Sequence, residues 1–233
     1  MMKILCNFAT RGRPQRFKEA LDSIICNTIH PENMLIFVKL DSDDTFLKQY
    51  EDLIESYLEK GQNNISYTVG ISKNKIDAIN RDIDTVEKVF DFNFDIIVNM
   101  SDDMLFTYKG YDDVIRNIFE KYFPDTDICP CFKDKYRNDG LITLAVMGRK
   151  YYQRFGYIYH PDYVSLYCDN EQTLVAGILK RYTLITTPII FIHEHCNNNP
   201  LIVKDERYQI TEGYYKQDAE TFKKRKARNF DLK

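Results

Sequence analysis

The chain has 233 residues, 44% hydrophobic and 29% charged, a mixture that suits one generous globular domain or two lobes around a shared core. Its 15 Phe and 17 Tyr supply enough apolar area to exclude disorder over most of the length. With 32 basic and 35 acidic residues the net charge is −3, so no global electrostatic pull on nucleic acid is expected. No run reaches the roughly 18 apolar residues of a membrane helix, so no integral membrane segment is expected. The N-terminus enters a strand-like run at once, without a secretory signal. Together with six cysteines, this predicts a cytoplasmic setting and free thiols.

Taken in order, residues 3–9 predict a buried strand. The turn Thr10-Arg11-Gly12-Arg13 and Pro14 then open a helix, since Pro is well placed in a first turn. Phe17, Ala20, Leu21, Ile24 and Ile25 give that helix one apolar face. Residues 34–40 predict a second strand ending at Asp41-Ser42-Asp43-Asp44. Leu47 to Leu58 predicts a second helix, 65–71 a third strand, and Ile76 to Phe90 one helix stepping by 3 or 4. Residues 94–100 predict a fourth strand, ending at Ser101-Asp102-Asp103-Met104. Strands alternating with helices imply a parallel sheet covered by helices. Residues 1–104 therefore read as a Rossmann-like half, with polar clusters at strand ends where open α/β sheets bind ligands. Beyond a helix at 111–123 the pattern loosens. Residues 141–146 and 183–192 predict strands, and 170–179 a helix. From Pro200 the chain is polar, and Lys223-Lys224-Arg225-Lys226-Ala227-Arg228 is a basic tail.

Five clusters carry candidate chemistry. Asp102-Asp103, following a buried strand, needs a cation or several donors if it is not simply a solvated turn, and oxygen ligands of this kind suit Mg²⁺ or Mn²⁺. Asp41 stands where a carboxylate accepts hydrogen bonds from a ribose or base, while Asp43 or Asp44 can cap the helix that begins near Thr45. His193 and His195, two residues apart on a strand, share one face and can meet one metal. A zinc site adding Cys129, Cys131 and Cys168 is the weaker option, because Cys-x-Cys is not the usual spacing. Asp169 opens a helix, either as its cap or as a carboxylate able to take a proton from a hydroxyl. Phe155 to Pro161 is an aromatic loop suited to stacking on a sugar or base, unless its tyrosines are packing. Lys73, Lys75 and Arg81 flank the third helix, where cations can steady a phosphate.

In this order the pieces resemble a glycosyltransferase of the GT-A fold, close to the inverting group called family 2. Phe8-Ala9-Thr10-Arg11-Gly12-Arg13-Pro14 resembles its opening stretch, and Leu21-Asp22-Ser23-Ile24 the continuation. Asn74-Lys75-Ile76-Asp77-Ala78-Ile79-Asn80 resembles the G-K-x-x-A-x-N helix, Ser101-Asp102-Asp103 the D-x-D element, and Asp169-Asn170-Glu171 the base region. The resemblance covers residues 3–195 and implies an α/β, Rossmann-like GT-A fold, with a mostly parallel sheet flanked by helices. It implies one domain over 1–200 (a nucleotide-binding half to 104, an acceptor-side half after it), and a polar, basic C-terminal extension over 201–233.

It further implies a metal-dependent inverting transfer from a nucleotide-sugar to an acceptor hydroxyl. Thr10, Arg11, Arg13, Asp41, Lys75 and Asp102 would bind the nucleotide-sugar. Asp103, Asp102, His193 and His195 would hold a divalent cation, Mn²⁺ or Mg²⁺. Asp169, or else Glu171, would be the catalytic base. The acceptor could be a glycan, a lipid-linked sugar, a protein or a modified nucleic-acid base. The chain departs from the family in having Met100 or Ser101 at the first D-x-D position. It has no Trp, leaving Tyr167 before the base region, and it lacks the Gln-x-x-Arg-Trp motif of processive synthases. A nucleotidyltransferase and a non-catalytic binding module are the competing classes.

Overall fold

The computed structural model describes residues 1–195, 201–202 and 204–232. β1 (Ile4–Ala9), α1 (Pro14–Asn27), β2 (Met34–Asp41), α2 (Leu47–Glu59), β3 (Ile65–Gly70), α3 (Lys75–Asn80), α4 (Ile83–Phe90) and β4 (Ile96–Met100) follow in turn. The single helix expected over 76–90 is therefore two. Arg81 is extended and Asp82 sits at φ 62, which breaks the hydrogen-bond ladder between them. After β4 come β5 (Met104–Phe106), α5 (Tyr111–Tyr122), β6 (Cys131–Phe132), β7 (Ala145–Gly148), α6 (Arg149–Gln153), α7 (Cys168–Ile178), β8 (Leu184–Ile185) and β9 (Phe191–His193). α8 (Glu206–Gly213) and α9 (Tyr215–Ala227) complete the chain.

Five strands form one sheet in the order β3-β2-β1-β4-β7. The first four are parallel and β7 joins antiparallel, Val98 facing Val146. Alternation along the strands sorts the core onto two faces. Ile4, Cys6 and Phe8 pack with α1 and α2 residues such as Phe17 and Tyr50. Leu5, Phe37 and Ile97 pack with Ile76, Ile79 and Val86 of α3 and α4. Parallel strands buried on both faces read as unbroken apolar runs, which is why β1, β2 and β4 were visible in the sequence. Their carboxyl ends, at Ala9, Asp41 and Met100, lie side by side and line one cavity.

The second half is built from shorter pieces. The strand expected over 183–192 becomes two. β8 pairs in parallel with β6, while β9 pairs antiparallel with β5, placing Met104 opposite His193. The C-terminal stretch, polar by composition, is tied to the body by its charges. Buried Asp218 accepts the amides of Val164 (2.9 Å), Ser165 (2.9 Å) and Leu166 (2.7 Å). Cys6, Cys26, Cys129, Cys131 and Cys168 are free thiols; Cys196 lies outside the described residues.

Candidate functional site

At the end of β2, Asp41 is buried and held from three directions. Ser72 Oγ donates to it at 2.6 Å, Arg11 Nη1 reaches it at 3.1 Å, and Arg81 Nη2 stands 3.8 Å away. Arg11 also forks onto Asp43 at 2.5 and 3.0 Å. Asp44 accepts the Gly12 amide (2.8 Å) and the Phe46 amide (3.0 Å). It thus fixes the two loops together rather than capping α2, whose cap position is Phe46, without a side-chain bond. Arg81 donates to the Leu40 carbonyl at 2.7 Å and to Ser72 at 3.0 Å, and pairs with Asp82. It clamps the strand ends behind Asp41, which corrects its expected place beside a phosphate. Lys73 and Lys75 do line the cavity.

At the end of β4 the two aspartates part company. Asp102 Oδ1 accepts Arg13 Nη1 at 2.9 Å and Oδ2 accepts Thr10 Oγ1 at 3.2 Å, so both of its oxygens are engaged. Arg13 also donates to Asp205 at 2.8 and 2.6 Å. Asp103 accepts from Ser101 and from the Tyr208 hydroxyl (3.1 Å), and its Oδ1 lies 3.4 Å from His193 Nε2. Burial, and then the neighbouring Asp103 charge, push the Asp102 carboxyl up. For Asp103 burial also pushes upward, but the His193 charge and hydrogen bond outweigh it and hold the group well below the usual carboxylate range. Both carboxylates have a cationic partner; for Asp102, burial and the Asp103 charge outweigh what Arg13 contributes, whereas for Asp103 the His193 contribution prevails.

His193 leaves β9 with its amide on buried Asp134 (3.1 Å) and its Nδ1 buried without a hydrogen-bond partner. His195 stacks edge-on against His193 and against Tyr208, with ring centres 5.5 and 4.7 Å apart. Burial, then the His193 charge, lower His195 to about 4, so it is a neutral imidazole at pH 7. Among the described residues, no three His, Cys, Asp or Glu side chains already stand in metal-holding geometry. Asp103 and His193 nevertheless suit a divalent cation whose remaining ligands are phosphate and water oxygens. The cysteines do not join them. Cys129 and Cys131 lie in the core, and Cys168, on the cavity wall, points its thiol at the Ser165 carbonyl at 3.8 Å.

Asp169 and Glu171, two residues apart on α7, have different surroundings. Asp169 lines the cavity, and burial pushes its carboxyl up against the opposing Asn170 amide bond of 2.9 Å. Glu171 is 5% exposed and absent from that lining. Arg225 of α9 grips it at 2.7 and 2.8 Å, and the Tyr163 hydroxyl donates to it at 2.8 Å. Glu171 is thus a structural tie and is set apart from the base role allowed for it above. In the aromatic loop, Asn80 accepts the amides of Ile158 (3.0 Å) and Tyr159 (3.1 Å) and donates to the Tyr159 carbonyl (2.6 Å). Phe155 and Tyr157 stack on each other, and of these three rings Tyr159 alone faces the main cavity.

Thr10, Arg11, Arg13, Asp41, Lys75, Asp102, Asp103, Asp169, His193 and His195 all line one cavity of about 460 Å³ over the strand ends. Tyr208, which sequence reasoning missed, forms part of its wall with Arg13 over its ring at 4.2 Å. The only local signal for it was Asp205, whose carboxylate caps α8 by accepting the Tyr208 amide at 3.0 Å.

No family model matches the sequence, and no curated protein matches it. Among solved structures, the mannosyltransferase PcManGT from Pyrobaculum calidifontis, in complex with GDP-Man and Mn²⁺, superposes with TM-score 0.63 at 15% identity, over 83% of this chain and 57% of that one. S. aureus TarS 1-349 in complex with UDP gives 0.62 at 14% identity, over 82% and 60%. The same protein in complex with UDP-GlcNAc gives 0.59 at 13%, over 90% and 64%. The chain has a GT-A-type fold. It spans between 57% and 64% of the length of these three structures. The GT-A sheet accounts for where the cavity lies, because the crevice forms beyond the carboxyl ends of parallel strands. The antiparallel β5–β9 pair brings His193 to the cavity wall beside Asp103. Among the described residues, no helix is long and apolar enough to cross a membrane.

Proposed function

We propose that the chain is an inverting glycosyltransferase that moves a sugar from a nucleotide-sugar donor to an acceptor hydroxyl. One observation carries this reading: Asp41, Asp102 and Asp103 at the strand ends share a single cavity with the half-buried Asp169 on α7. A site that separates nucleotide-binding carboxylates from a lone carboxylate opposite suits transfer between two bound substrates. The neighbours support the donor class, since PcManGT was captured with GDP-Man and Mn²⁺ and TarS with UDP-GlcNAc.

In this reading Asp41, Thr10 and Arg11 receive the base and ribose, and Lys75 and Arg13 face the diphosphate. Asp103 and His193, with Asp102 beside them, would hold a divalent cation, Mn²⁺ or Mg²⁺. Bound there, such an ion would offset the charge of the departing diphosphate. Asp169 takes the proton from the acceptor hydroxyl. The oxygen's freed electron pair attacks the anomeric carbon from the face opposite the diphosphate, which leaves with the bonding pair. Burial makes Asp169 a stronger proton acceptor than an exposed carboxylate. Binding isotherms with a panel of nucleotide-sugars, with and without Mn²⁺, followed by a product assay, test the proposal. Donor binding strengthened by Mn²⁺ and sugar transfer abolished by chelator are expected. Full transfer in excess chelator overturns the metal role, and binding without transfer to any acceptor overturns the enzyme.

A further inference from the structure

A second cavity, of about 730 Å³, opens on the other side of Asp169. It meets the first at Thr143, Leu166, Asp169, His193, His195 and Tyr208, so a molecule lying in it would present itself to the proposed base. Building on the glycosyl-transfer reading above, we infer that this cavity binds a neutral saccharide as acceptor, held against the rings of Tyr167 and Tyr215.

Four observations lead there. Tyr167, at the start of α7, keeps a left-handed φ of 62, a conformation that a bulky side chain holds only where its surroundings impose it. Its ring meets that of Tyr215 on α9 at 5.4 Å between centres, and Tyr215 is 55% exposed. Two tyrosines beside a cavity offer apolar faces rimmed by hydroxyls, matching the alternating C–H and O–H surfaces of a sugar ring. Thr143, on the wall common to both cavities, is 7% exposed, and its Oγ1 is buried without a hydrogen-bond partner. A buried hydroxyl left unpaired is costly, and a sugar hydroxyl would satisfy it.

The last observation is electrostatic. Arg137 is paired with Asp139, and Glu212 with Lys204. The guanidinium of the cavity is thus engaged within the protein, and Asp169 adds negative charge. A phosphate-bearing acceptor, whether a lipid or a nucleic acid, would meet that carboxylate with poor compensation. An uncharged polyhydroxyl chain meets no such cost.

Saturation-transfer NMR and calorimetry, run without donor, test this with uncharged hexasaccharides of glucose, mannose and N-acetylglucosamine. Phosphatidylglycerol vesicles and a single-stranded oligonucleotide serve as anionic probes. At least one hexasaccharide should bind. Tyr215→Ala should weaken it about tenfold, as the loss of one ring contact predicts, while Tyr215→Phe retains it. Thr143→Val, which removes only the hydroxyl, should weaken it independently, and circular dichroism checks that each variant is folded. Failure of all three hexasaccharides to bind overturns the inference. So does unchanged binding by both Tyr215→Ala and Thr143→Val, or tighter binding of either anionic probe that Tyr215→Ala abolishes. Because no donor is present, absent sugar transfer would count against the proposed activity and leave this result standing.

Discussion

The two walls of the site are held by different forces. The wall proposed for the donor rests on the ends of β1, β2 and β4, where parallel ladders and a core buried on both faces fix Asp41, Asp102 and Asp103. The wall proposed for the acceptor rests on the first turn of α7 and on the two C-terminal helices. Side-chain clamps hold it: Arg225 on Glu171, Asp218 on three amides, and Asn80 on the aromatic loop. A wall fixed by a sheet tolerates the loss of one polar contact. A wall fixed by a few buried charges does not, because each charge left behind is unpaired in a dry setting.

The largest effect expected is on catalysis. Asp169→Asn should leave the fold and donor binding intact yet lower turnover by about 10²–10⁴, the usual contribution of a general base. The wild-type profile should carry the signature of that carboxylate. Its group titrates above the ordinary Asp range and must be ionised to accept a proton, so turnover should fall as pH drops through that raised value. The Asn variant's residual rate should lack this limb. Stopped-flow or coupled assays across pH decide the matter, and a normal rate in Asp169→Asn would remove it from the mechanism.

Next comes the acceptor wall itself. Arg225→Gln strands Glu171, whose side chain and that of Arg225 are 6% and 4% exposed. Breaking one partner of a buried pair costs about 3–5 kcal/mol. Thermal and urea melts should show that loss, whereas exposed Lys224, facing Glu220 at 3.8 Å with both side chains more than half exposed, should be replaceable by Gln within about 0.5 kcal/mol. Equal melts for the two variants would erase the contrast between a clamped wall and a solvated helix face.

The smallest effect belongs to the sheet-held wall. Asp41→Ala should weaken nucleotide affinity about tenfold, the scale of one hydrogen bond to a charged group. Stability should change little, since Arg11 keeps Asp43 and Arg81 keeps the Leu40 carbonyl. Calorimetry with a nucleoside diphosphate measures it, and unchanged affinity in a folded variant would make Asp41 a loop residue.

The same contrast explains what could be read from the chain alone. Phe17, Ala20, Leu21 and Ile24 announce α1 by their spacing, and the apolar runs before Asp41 and Asp102 announce two strand ends, because burial on a regular lattice leaves a period. The acceptor wall leaves none. β6 and β8 have two residues each, too few to show alternation. α9 is polar along most of its length and packs through Asp218 and Arg225, so composition alone suggested only a polar, basic extension. Asp169 was the base expected from the sequence and Glu171 the fallback two positions on, and the long-range partner Arg225, 54 residues further along, now separates their surroundings. The division of Asp102 and Asp103 between Arg13 and His193 was equally out of reach, since it depends on contacts across 89 and 90 positions.

The most direct test follows the products. The chain, incubated with a nucleotide-sugar, Mn²⁺ and an acceptor oligosaccharide drawn from parallel panels, is monitored by proton NMR and mass spectrometry. The account predicts free nucleoside diphosphate rising one-for-one with a new glycoside whose anomeric configuration is opposite to that of the donor. Release of pyrophosphate, or a glycoside that keeps the donor's configuration, would contradict it.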